Sequence, residues 1–100
     1  MVGHIVMWKL KPEAEGRSAA ENAATMKSML EALPARIPQL RKLVLSTDVF
    51  ASIPEADVVL YTEFDNADDL QTYQIHPEHK KCVAFIQPIV AERRMVDYTF

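Results

Sequence analysis

The sequence predicts one α+β domain over residues 1–100, with element order β-α-β-β-α-β. Three observations carry this. Four short apolar runs have strand character, two intervening stretches have helical spacing, and no linker, repeat or low-complexity segment divides the chain. This order is the ferredoxin-like split βαβ arrangement: a four-stranded antiparallel sheet with its helices on one face.

The first strand is "GHIVMWKL", residues 3–10, bounded by Pro12. "EAEGRSAAENAATMKSMLEALP" reads as a helix. Ser18 and Glu21 fit a capping box, with room for a start one turn earlier. Ala19, Ala23, Met26, Leu30 and Leu33 keep helical spacing until Pro34. "QLRKLVLST" and "DVVLYTEF" (57–64) read as the second and third strands. Asn66 can cap a short helix over 67–74, with Asp68 and Asp69 at its positive end. Pro77 suits a first helical position and opens another helical piece to about Gln87. "RRMVDYTF" is the last strand.

Alternation along the strands sorts their side chains. His4, Val6, Trp8 and Leu10 share one face, and Ile5 and Met7 the other. Val58, Leu60 and Phe64 oppose Val59 and Tyr61, while Met95 and Asp97 oppose Val96 and Tyr98. Both sheet faces are therefore largely apolar, and the helices cover one. The remaining face predicts a two-fold homodimer packed sheet against sheet, which makes a dimeric α/β barrel.

Composition narrows function. The net charge is −3 and the basic residues are scattered, so no nucleic-acid stripe forms. Cys82 is the single cysteine, which excludes an internal disulfide and a CxxC site. The apolar start is too short for a membrane span and lacks the pattern of a secretion signal. A cytoplasmic protein is expected.

The segment "YQIHPEHKK" (73–81) carries the chemistry-bearing side chains. His79 precedes Cys82, Val83 and Ile86 by three, four and seven positions, so it shares their inward face. Tyr73 follows Leu70 by three and also points inward. His4 and Asp97 lie on neighbouring strands, so all four can line one apolar chamber, the usual form of a small-ligand site. The bland alternative is a satisfied buried network. A His76/His79 metal pair is disfavoured. Pro77 turns His76 away from helical geometry, where it is better placed to cap the helix, and no third ligand is spaced to join them.

"HIVMWKLKP", "YQIHPEH" and "VDYTF" together resemble the stress-responsive A/B barrel (Dabb) family across essentially the whole chain. That resemblance implies a ferredoxin-like dimeric barrel. It also implies a distant relation to polyketide cyclases of the olivetolic acid cyclase type, which close chains by aldol condensation. There the catalytic pair corresponds to Tyr73 and His79, with His4 and Asp97 in support. Val58 and Leu60 stand where that branch has a polar pocket group, and the alanine-rich first helix offers no aromatic residue to shape a pocket. The resulting expectation is a homodimer binding a small apolar carbonyl or aromatic compound. If it is an enzyme, it is a cofactor-independent acid–base lyase, cyclase or isomerase. The alternatives are a non-catalytic stress-protective dimer and a monooxygenase-like barrel.

Overall fold

Strand β1, Val2–Leu10, lies inside the sheet and has a neighbour on either side. The computed structural model describes residues 1–100. The sheet order is β4-β5-β1-β6, all antiparallel, with β4 at Lys42–Ser46, β5 at Val58–Phe64 and β6 at Val90–Thr99. Helices α1 (Ala19–Glu31), α2 (Ala67–Ile75) and α3 (Pro77–Ile86) complete the α+β ferredoxin-like fold. No helix is long and apolar enough to cross a membrane.

The alternation is realised in burial. Val2, His4, Val6, Trp8 and Leu10 are buried from β1, and Val58, Leu60, Thr62 and Phe64 from β5. They face Met26 and Leu30 of α1, Leu70 and Tyr73 of α2, and Cys82 and Ile86 of α3 in the core.

The structure corrects the start of the first helix. Residues 13–18 form a two-stranded ribbon instead, β2 (Glu13–Ala14) paired with β3 (Arg17–Ser18). Its turn puts Glu15 at φ 55 and Gly16 at φ 73. Glycine takes this conformation freely, whereas a glutamate pays about 1 kcal/mol. The ribbon is clamped by Asn22, which is fully buried. Its Nδ2 donates to the Ala14 carbonyl at 3.2 Å, and its Oδ1 accepts from Arg17 Nε at 2.8 Å. The helix begins at Ala19 behind the capping box. Glu21 N–H donates to Ser18 Oγ at 3.2 Å, and Ser18 N–H donates to Glu21 Oε1 at 3.1 Å. Pro34 sits in a 3₁₀ turn, Leu33–Ala35, just beyond the end of α1.

The last strand starts at Val90, earlier than its apolar run suggests. A 3₁₀ turn, Gln87–Ile89, leads into it from α3. On the helix-free side, Val44, Tyr61, Ile5 and Val96 stand opposite one another in a row across all four strands. The Tyr98 ring lies over Gly3, where an added Cβ would come within 2.5 Å of it.

Candidate functional site

Between sheet and helices lies a cavity of about 380 Å³. Its floor includes His4, Val6 and Trp8 of β1, Leu60 of β5 and Arg93 of β6. Its roof includes Leu30 of α1, Tyr73 and Gln74 of α2, and His79, Val83 and Ile86 of α3. The volume falls within the range of small-molecule sites. Leu60 lines it, as the strand pattern implies, whereas Val58 is buried elsewhere in the core.

A bend in the chain builds the roof. Six positions apart on an unbroken helix, Tyr73 and His79 would diverge by about 120° and stand about 9 Å apart along the axis. Pro77 prevents continuity by forcing His76 into an extended conformation, φ −64 and ψ 136. The two helices meet at an angle, and the Tyr73 and His79 rings come together with centroids 4.3 Å apart.

Both histidines of the segment serve this bend. His76 caps α3, its Nδ1 accepting from Glu78 N–H at 3.1 Å. His79 Nδ1 lies 3.1 Å from the Gln74 carbonyl at the end of α2, where helix carbonyls lack intrahelical partners. A carbonyl only accepts, so Nδ1 carries the proton and Nε2 keeps the lone pair. In its neutral form, His79 is therefore a base at the cavity wall with its lone pair on Nε2. Burial pushes its pKa below the ordinary 6.5 despite the opposing Gln74 hydrogen bond, and the positive Arg93 pushes the same way as burial.

Tyr73 is completely buried, and its hydroxyl has no hydrogen-bond partner. Burial raises its pKa well above the usual phenol range, so it stays protonated and can donate. Its ring also packs on Phe64 at 5.1 Å and meets His4 edge-on at 6.5 Å.

His4 and Asp97 are paired by strand register, and His4 Nδ1 bonds Asp97 Oδ1 directly. The His4 side chain is 4% exposed and that of Asp97 36%. The sequence places all four residues around one space, and the structure brings Tyr73, His79 and His4 to the cavity with Asp97 behind His4. The His79 ring is held by the Gln74 carbonyl. Sequence reasoning missed Arg93 and Gln74. Arg93 is legible only through the register that sets it opposite Trp8.

The stress-responsive A/B barrel domain model matches residues 2–100. No curated protein matches the chain significantly. Among solved structures, a dimeric protein of unknown function and ferredoxin-like fold from Bacteroides fragilis is 35% identical, with TM-score 0.77. That match covers 99% of this chain and 95% of the other. A hydroxynitrile lyase from Passiflora edulis is 16% identical with TM-score 0.78, covering 99% and 95%. SnoaB, a cofactor-independent oxygenase from Streptomyces nogalater, is 11% identical with TM-score 0.74, covering 99% and 91%. The last two likenesses are of fold. With the family model spanning all but the first residue, the chain belongs to the stress-responsive A/B barrel domain family.

Proposed function

We propose that the protein is a homodimer that binds a small, mostly apolar carbonyl or aromatic compound in the cavity, and that Tyr73 and His79 act on it by acid–base chemistry. The observation that carries this reading is the Tyr73 hydroxyl. It is buried, protonated and unpaired beside a neutral imidazole in a roomy apolar chamber. An orphaned buried hydroxyl costs about 1–3 kcal/mol, and a ligand oxygen recovers that cost.

In the proposed reaction, His79 Nε2 takes a proton from the carbon next to a carbonyl. Tyr73 O–H donates to the enolate oxygen that forms. In an aldol closure the carbanion adds to a second carbonyl, and the proton held by His79 passes to the new alkoxide. In an isomerisation it returns to carbon. Such help is worth roughly 10²–10⁴-fold in rate. His4, steadied by Asp97, walls the chamber beside Tyr73.

The dimer is supported by the apolar row on the helix-free face, where Val44 is 52% and Val96 50% exposed in the isolated chain. The Bacteroides fragilis relative is itself described as dimeric. A non-catalytic, stress-protective dimer is a second reading. It is favoured by the two hydrogen bonds through which His76 and His79 hold the bend, a structural reason for the same residues.

Titration with 4-butylacetophenone, together with urea unfolding, tests the choice on wild type, Tyr73→Phe and His79→Ala. A working site predicts that Tyr73→Phe keeps or gains stability while binding weakens on the order of tenfold. Unchanged binding in Tyr73→Phe, with His79→Ala altering stability alone, would favour the structural role.

A further inference from the structure

Four of the five arginines have partners. Arg17 bonds Asn22 and sits over the Phe85 ring, Arg36 pairs with Glu78, Arg41 with Asp65 and Arg94 with Glu92. The guanidinium of Arg93 has neither an ion pair nor a side-chain hydrogen bond, and it lines the cavity. Its position follows from register. Arg93 stands opposite Trp8, as Met95 stands opposite Val6 and Asp97 opposite His4, so these three share the cavity face of β6. Arg94 points to the other face, opposite Met7.

Neither neighbouring β6 carboxylate pairs with Arg93. Asp97 is tied to His4, and Glu92 lies 3.9 Å from Arg94 Nη2. Among the polar groups of the lining, the Tyr73 hydroxyl and the His79 imidazole lie in the roof, His4 in the floor is tied to Asp97, and the exposed guanidinium of Arg93 in the floor is unpaired. Trp8, Val83, Ile86 and Val90 supply apolar wall between and around them. A planar guanidinium has no acceptor capacity and matches a carboxylate in a fork of parallel hydrogen bonds.

We infer that the cavity selects ligands bearing an anionic group, a carboxylate above all, which Arg93 holds while the carbonyl lies at Tyr73. This rests on the proposed ligand site and adds the charge of its occupant. The net charge of −3 offers no general attraction for an anion, so the preference is local to Arg93.

Paired probes separate the two ideas. 4-Acetylbenzoate and its neutral isostere 4-acetylbenzamide are titrated into wild type, Arg93→Gln and Arg93→Lys, with binding followed by amide chemical shifts of the cavity residues. Wild type should favour the acid on the order of tenfold. Arg93→Gln should remove that preference, whereas Arg93→Lys should keep part of it. Lys42→Gln, which removes an equal charge from the far edge strand, should leave the preference intact. Equal binding of acid and amide by wild type overturns the inference while upholding the site. A preference that survives Arg93→Gln, or falls equally in Lys42→Gln, also overturns it. Failure of both probes to bind wild type overturns the site and the inference together.

Discussion

Asp97 stands directly across the β1–β6 ladder from His4, and its carboxylate accepts a hydrogen bond from Nδ1 of that buried imidazole. The bond joins the edge strand to the cavity floor. Removing the acceptor strands a buried donor, so Asp97→Ala should cost about 1–3 kcal/mol of folding stability. Asp97→Asn keeps an oxygen at the position and should cost less. Urea midpoints for the two variants check the order. Equal losses would show that the side chain matters for packing rather than for the bond.

His79 should make stability depend on pH. Its folded-state pKa lies below the ordinary 6.5, so between those two values the unfolded chain binds more protons than the native one. The stabilisation is complete above the unfolded value and falls as pH drops through the window towards the folded pKa. Unfolding midpoints at pH 7.5 and 5.5 should differ less in His79→Gln than in wild type. The same slope in both proteins would assign it elsewhere.

His76 acts at the bend as a cap. His76→Ala should lose about 1 kcal/mol, whereas His76→Asn, which can also accept from Glu78 N–H, should stay close to wild type. Thermal melts distinguish these outcomes. If Asn fails as badly as Ala, the ring contributes something other than its Nδ1 lone pair.

Tyr61 occupies the middle of the apolar row on the helix-free face, with Glu63 accepting from its hydroxyl at 2.6 Å. Tyr61→Glu should dissociate the proposed dimer, because the new carboxylate would be desolvated against an apolar partner face. Sedimentation velocity at micromolar concentration checks this. A wild-type protein that sediments as a monomer would remove the need for such an interface.

The parts of this architecture that were legible share a short-range cause. Strand alternation placed His4 and Asp97 on one face because side-chain direction has period two. The Ser18–Glu21 box and the Pro77 start were visible because capping is written within three or four residues. The ribbon at residues 13–18 was hidden because glutamate and alanine are good helix formers, and its turn sets Glu15, a poor candidate for that role, at positive φ. Only Gly16 hinted at it. The bond from His79 to Gln74 was equally hidden. It depends on the angle at which two helices meet, and proline signals that a break occurs without giving its direction. Arg93 looked like one of several scattered charges because its solitude is a property of the neighbours, which the chain order does not list.

The bend gives the HPxH segment two separate reasons to persist. One histidine closes the start of a helix and the other closes the end of its predecessor, so both are worth keeping for folding alone. A descendant could lack the proposed chemistry, fill the chamber and still carry the signature unchanged. Within such a lineage, the spelling of the segment records ancestry of shape, and the hydroxyl of Tyr73 is the better marker of trade. It stabilises nothing in the empty fold, and drift to phenylalanine would cost the fold nothing once no ligand was there to meet it.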